Sequence, residues 1–290
     1  MWQRVAKSIE AALGRPFAPR QVGLIGGGCI NQAVCLGDGD QQVFVKFNQS
    51  QHLGMFEAEA AGLTALAGAG GLRVPTPFCT GVVDGQAFLA MEFLSLGSPN
   101  RDSAARGGRG LAALHRHTGP NFGWERDNTI GSTPQRNAWS ASWQDFWGEQ
   151  RLGFQLDLAA RHGQGGRLQR QGERLMERFP ALLDPHTVPS LLHGDLWGGN
   201  LGHVAGEPVI FDPAVYYGDR EADLAMTELF GGFDPAFYAA YREAWPLAPG
   251  YPQRRLLYNL YHVLNHLNLF AGGYLRQAES MMDRLLAELG

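Results

Sequence analysis

Apolar and polar positions divide the chain into two parts with different periods. Over the first ninety or so residues, short alternating runs predict strands near 21–25, 32–36, 42–47, 79–83 and 87–91. Gly37-Asp38-Gly39-Asp40 and Asp84-Gly85 supply turns between them. A short helix precedes the strands, and a second, rich in Ala, Glu and Leu, is expected from about His52 to Ala67, closing at Gly68. Beyond residue 100 the spacing turns helical, over 103–118, 140–162, 166–179, 219–230, 234–244, 253–271 and 273–289. The exception is Leu191 to Phe211, where Gly-rich loops flank short strands near 201–204 and 208–211. The cluster Gly97, Ser98, Pro99 and Asn100 reads as a linker, so a first lobe over 1–94 and a second over 95–290 are expected.

Composition changes this picture only by exclusion. With 44% apolar residues, the 290-residue chain can bury a sizeable core, which excludes intrinsic disorder. A net charge of −4 gives no basic field for nucleic acid or an anionic membrane. No run approaches the roughly 18 apolar residues of a bilayer span, and Arg4, Lys7 and Glu10 interrupt any signal-peptide core. The three cysteines, Cys29, Cys35 and Cys79, form no CxxC pair, which points away from a disulfide framework or a cysteine zinc site and towards a reducing cytoplasm.

The polar residues that carry chemistry crowd into His193-Gly194-Asp195-Leu196-Trp197-Gly198-Gly199-Asn200, and a second carboxylate, Asp212, follows at the end of the apolar strand Ile210-Phe211. Two acids and an amide converge if the strand returns beside the loop, and such oxygen donors suit Mg²⁺ shared with phosphates. The same Asp-to-Asn spacing with a later metal-binding Asp occurs in the protein-kinase catalytic loop. On that reading Asp195 accepts the proton of an acceptor hydroxyl, Asn200 and Asp212 hold Mg²⁺, and His193 braces the loop; an Asx-rich turn is the alternative. Upstream, alternation along Gln42 to Phe47 sends Val43, Val45 and Phe47 to one face and Phe44 and Lys46 to the other. An inward lysine needs an anion. Glu59 on the next helix is the expected partner, with Glu57 its rival about 200° away around the helix, and pairing would poise Lys46 on the nucleotide's phosphates. Between the first two strands, Gly26, Gly27, Gly28, Cys29 and Asn31 form a loop whose backbone can lie close over phosphates. Met91, Glu92, Phe93 and Leu94 are the expected hinge whose backbone meets adenine. There is no GxxxxGK[ST], so a P-loop NTPase is excluded, and βαβ alternation for a Rossmann site is missing. The order of these parts predicts an α+β, two-lobed protein-kinase-like fold, with a small antiparallel-sheet N-lobe carrying one main helix and a larger, mainly helical C-lobe.

Over nearly its whole length the sequence resembles the fructosamine kinase (ketosamine-3-kinase) family, in the aminoglycoside phosphotransferase group of kinase-like folds. The resemblance rests on GGGCINQA at 26–33, VFVKFNQ at 43–49, MFEAEAAGL at 55–63, NFGW and DNTIGSTPQ between 121 and 135, HGDLWGGN at 193–200 and FDPAVYYGDREADLAM at 211–226. It implies ATP-dependent phosphorylation of the sugar O3 of a ketosamine, on a small amine or a protein lysine, with ATP and Mg²⁺ as cofactors and a monomer or weak homodimer as the working unit. A kinase for another small hydroxyl substrate, of aminoglycoside, choline or homoserine type, shares these catalytic residues; a pseudokinase is disfavoured because Lys46, Asp195, Asn200 and Asp212 are all present. Asp223 resembles the kinase-fold aspartate that hydrogen-bonds the catalytic-loop backbone, or is a plain helix N-terminal acid. Asp219 and Glu221 are candidates to attract the substrate's ammonium, or form a solvated acidic turn. Trp197 either stacks on a sugar or cation or packs in the core. Cys29 is a candidate redox thiol in the Gly-rich loop. His262 and His266 have the spacing of half a metal site without a third ligand, and His115 and His117 point to different helix faces and receive no role.

Overall fold

The computed structural model describes residues 1–26, 30–39 and 41–290. The chain runs through α1 (Trp2–Leu13), β1 (Gln21–Ile25), β2 (Gln32–Asp38), β3 (Gln41–Gln49), α2 (Leu53–Ala69), β4 (Pro77–Val83) and β5 (Gln86–Glu92). The five strands form one antiparallel sheet in the order β1-β2-β3-β5-β4. Strand alternation decides what each face buries. Val43, Val45, Phe47, Phe88 and Ala90 pack with Val5 and Ile9 of α1, whereas Leu89 and Met91 pack with Phe56, Leu63 and Leu66 of α2. Helix α2 does not close at Gly68: it continues to Ala69 and ends on Gly70, whose φ of +73° costs a glycine nothing.

The rest of the chain is mainly helical, as expected, but holds three two-stranded ladders. In order it comprises α3 (Ser103–His115), β6 (Asn128–Ile130), β7 (Thr133–Gln135), α4 (Trp143–Phe146), a π-helical stretch (Trp147–Gly153), α5 (Phe154–Arg161), α6 (Arg167–Arg178), β8 (Ser190–Leu192), β9 (Leu201–Val204), β10 (Glu207–Ile210) and β11 (Tyr216–Gly218). Helices α7 (Arg220–Leu229), α8 (Pro235–Ala244), α9 (Tyr251–Phe270) and α10 (Tyr274–Glu288) complete it. The ladders pair β6 with β7, β8 with β11 and β9 with β10. The predicted helix over 140–162 is split by its π-helical turn. Among the described residues no helix is long and apolar enough to cross a membrane.

The two halves share one core. Leu111, Leu191, Leu196, Ile210 and Val215 bury their side chains with those of α2 and β5. At Gly62, α2 comes so close to the segment after Asp212 that an added Cβ would lie 3.0 Å from Val215 Cγ2. That approach presents the polar face of α2 to the end of β10.

Candidate active site

Lys46 is only 8% exposed on β3, and its ammonium bridges the two halves of the molecule. Its Nζ lies 2.6 Å from Glu59 Oε1 on α2 and 2.5 Å from Asp212 Oδ1 beyond β10. Burial pulls its pKa down, but the two carboxylates more than reverse that and hold the group charged. Glu57, two positions from Glu59 around the helix, is exposed.

The loop after β8 is stitched to its surroundings through its backbone. Asp223, buried at the start of α7, accepts from the amides of His193 (2.7 Å) and Gly194 (2.8 Å). Gly194 has φ +82°, and a Cβ there would sit 2.0 Å from Ala214 O, so no side chain fits. His193 Nε2 lies 3.0 Å from Phe211 O, and the amide of Ala214 donates to His193 O at 2.8 Å. Asn200 Nδ2 donates to Asp195 O at 2.8 Å and to Asp195 Oδ2 at 3.2 Å. These ties bring Asp195, Asn200 and Asp212 together. Burial, and then the negative charge of Asp212, push the Asp195 carboxyl up to about 7. Asp212 is held at φ +58°, uncommon for a residue with a side chain, and that side chain remains 47% exposed.

Residues given no role by their sequence support this arrangement. Fully buried His115 contacts Asp223 Oδ2 through Nε2 (3.2 Å) and the Tyr241 hydroxyl through Nδ1 (2.8 Å), while Arg220 Nη1 donates to that hydroxyl at 3.0 Å. A guanidinium only donates, so the relay runs Arg220 to Tyr241 to His115 to Asp223, with a neutral His115 protonated on Nε2. Burial lowers the His115 pKa, in keeping with that state. The β6–β7 hairpin holds the segment after Asp212 from the other side. Asn128 Nδ2 donates to Val215 O (2.8 Å) and Gln135 Nε2 to Ala214 O (3.0 Å), while the Tyr261 hydroxyl donates to Gln135 Oε1 (2.8 Å). Behind them Arg151, from the π-helical stretch, donates to Asn137 Oδ1 at 2.7 Å and lies 4.0 Å over the Tyr216 ring. The sequence signals for this support were the DNTIGSTPQ and FDPAVYYGDREADLAM tracts, which gave a likeness but no contact.

The remaining predicted residues divide. Gly27, Gly28 and Cys29 lie outside the described residues; beside them, Asn31 Oδ1 accepts from Asn48 Nδ2 at 2.8 Å, and Gly26 directly follows β1. Met91 is buried at the end of β5, and Phe93 and Leu94 are half-buried. Glu92 pairs with Arg73 Nη2 at 2.5 Å, and Arg73 O accepts from the amide of Ile210 at 2.9 Å, tying this segment to the strand that leads to Asp212. Trp197 is 39% exposed, too open for a core residue. Asp219 and Glu221 do not reach the site as substrate acids. Asp219 caps α7 through the Glu221 amide (2.9 Å) and accepts from the Tyr258 hydroxyl (2.5 Å), and Glu221 is paired with buried Arg254 at 2.6 Å. His262 is buried, His266 Nδ1 lies 2.8 Å from His262 O, and among the described residues no three His, Cys, Asp or Glu side chains gather around a metal-sized space.

A hard divalent cation fits the oxygen donors that do converge. Asp212 offers a half-open carboxylate, and the brace from Asn200 to Asp195 uses its amide nitrogen, not its oxygen.

Comparison with known proteins gives a consistent result. The sequence profile of the fructosamine kinase family matches residues 1–288. A relative from Synechocystis sp., named a probable ketoamine kinase, is 51% identical over 287 residues, covering 98% of this chain and 97% of its own. A solved structure from Haemophilus somnus 129PT, named as a candidate fructosamine-3-kinase, is 30% identical with a TM-score of 0.91, covering 99% of this chain and 98% of its own. A thermostable aminoglycoside phosphotransferase, APH(4)-Ia, is 14% identical with a TM-score of 0.61 and coverage of 98% of both chains; it shares the kinase-like fold.

Proposed function

Because the chain belongs to the fructosamine kinase family, we propose that it transfers the terminal phosphoryl group of ATP to the sugar O3 of a ketosamine, a fructosamine or ribulosamine adduct on a small amine or a protein lysine. Asp195 accepts the O3 proton as that oxygen attacks; its raised pKa makes it a stronger base than an ordinary carboxylate. Lys46, oriented by Glu59, steadies the nucleotide's phosphates. Asn200 and Asp212 hold Mg²⁺, which neutralises charge on the phosphates when bound. His193 and Asp223 fix the loop, so Asp195 is positioned before substrate arrives.

The product's own chemistry completes a deglycation. Loss of a C1 proton gives an enaminol, the C3–O bond breaks to release inorganic phosphate, and hydrolysis of the resulting imine frees the amine and a 3-deoxyosone. The observation that carries the proposal is the meeting of Lys46, Glu59 and Asp212 beside the Asp195 loop, in a chain of this family. The test is transfer from isotope-labelled ATP, with Mg²⁺, to fructosyl-, ribulosyl- and psicosyl-amines, with aminoglycosides and choline alongside. Label on O3 of a ketosamine, located by ³¹P NMR, is the expected result. Labelling of an aminoglycoside or choline with no ketosamine turnover overturns it.

A further inference from the structure

A row of rings begins at the catalytic loop; its exposed members, Trp197, Phe230 and Phe270, lie outside the hydrophobic core, while Tyr274 packs against it. Trp197 is 39% exposed, Phe230 at the end of α7 is 38% exposed and Phe270 at the end of α9 is 55% exposed. The rings meet in series. Centroids of Trp197 and Phe230 lie 6.0 Å apart, those of Phe230 and His266 5.0 Å, and His266 is 5.6 Å from Phe270 and 5.1 Å from Tyr274. Four separate elements, the catalytic loop, α7, α9 and α10, bring them to one strip. Next to Phe270, Leu269 reaches the β6–β7 turn, where a Cβ on Gly131 would lie 3.0 Å from Leu269 Cδ1 and 3.3 Å from Ile30 Cδ1. The strip therefore runs from the acceptor side of the loop to the edge of the Gly-rich segment.

We propose that this row is the subsite for the organic group on the amine nitrogen of the ketosamine, and that it selects adducts whose group is apolar or aromatic; the inference rests on the ketosamine reading above. With O3 at Asp195, the amine nitrogen is four bonds away, at most about 5 Å along the substrate. The amide of Trp197 donates to Asp195 O at 3.2 Å, so the ring belongs to the residue that closes the turn carrying the base. The acids once expected to receive the ammonium, Asp219 and Glu221, are buried and paired. The cation is left to the face of Trp197, and the group attached to it meets Phe230 and Phe270. The exposed aromatic surface of Trp197, Phe230 and Phe270 lies outside the core and begins beside the reacting group, the kind of patch that marks a ligand contact.

The experiment compares kcat/KM for the fructosyl adducts of benzylamine and methylamine. In the unaltered enzyme the benzyl adduct is favoured by at least about tenfold, and in the double variant Phe230→Ala/Phe270→Ala that ratio falls towards one. Val82→Ser, an exposed apolar residue on β4 in the other half of the chain, keeps the ratio. Equal constants for the two adducts in the unaltered enzyme, or a ratio that survives the double variant, overturn the subsite while leaving ketosamine phosphorylation intact. Turnover of neither adduct overturns the ketosamine reading itself, and the subsite with it.

Discussion

Two acidic clusters stand within thirty residues of one another in the sequence, and they are opposites in the fold. Asp195 and Asp212 meet at one site, where Lys46 pairs with Asp212 at 2.5 Å; Asp212 is 47% exposed, and Asp195 is held up to about 7. Asp219 and Glu221 lie on the same side of the chain's midpoint, yet they are 5% and 3% exposed and their oxygens are taken by a helix cap, Tyr258 and Arg254. Two surface cavities of about 490 and 260 Å³ adjoin this second cluster, lined by residues such as Leu182, Trp245 and Arg254, and neither includes Lys46, Asp195 or Asp212. Open, crowded carboxylates can exchange protons and accept cations. Satisfied ones hold helices together.

The largest expected effect separates the clusters by chemistry. Asp195→Asn lowers kcat by about 10²- to 10⁴-fold, the usual worth of a general base. The same change stabilises the metal-free, nucleotide-free protein. The fold raises the Asp195 pKa above its ordinary 3.8, so its ionisation costs nothing at low pH, and the cost grows as pH rises until it levels off above about 7. Melting in EDTA is therefore expected to rise by about 2–4 °C at pH 8, and by less at pH 5. An unchanged Tm at both values removes the crowding argument.

The second cluster should answer in stability, not in turnover. Glu221→Leu leaves the Arg254 guanidinium, 3% exposed, without its partner, a loss of about 3–5 kcal/mol in urea unfolding. The double change Glu221→Leu/Arg254→Met restores most of that. If KM for the ketosamine rises instead while stability holds, Glu221 is a substrate contact after all.

What the sequence disclosed follows the same division. Lys46 was legible because strand alternation forces it to the face opposite Val43 and Val45, and the HGDxxxxN spacing marks a loop whose geometry is local. Three-residue strands such as β6 and β8 carry no period of their own, and β8 finds β11 only through pairing across the catalytic loop. Burial is likewise a property of the assembled helices. Nothing within residues 219–223 states that α9 will lay Arg254 and Tyr258 against them, and nothing beside His115 announces Asp223, 108 positions away. The end of α2 lies two residues beyond the position Gly68 suggests, because Gly68 is tolerated inside a helix and Gly70 is the residue whose φ turns positive.

The smallest expected effect sharpens the comparison inside the site itself. Glu59 and Glu57 are chemically identical and two residues apart, but only Glu59 reaches Lys46, at 2.6 Å, while Glu57 stands in water. Glu59→Gln keeps a hydrogen bond and removes the charge. Lys46 is then drawn to Asp212 alone, away from the phosphates it should hold, so kcat/KM for ATP falls by about tenfold, the worth of one charge-assisted hydrogen bond. Glu57→Gln changes the same constant by less than about twofold, as exposed charges do. Steady-state kinetics with ATP varied at saturating ketosamine measures both. Equal losses in the two variants mean that the net charge of α2 matters to nucleotide binding and the contact with Lys46 does not, which places the work of that helix in its field and not in the ion pair.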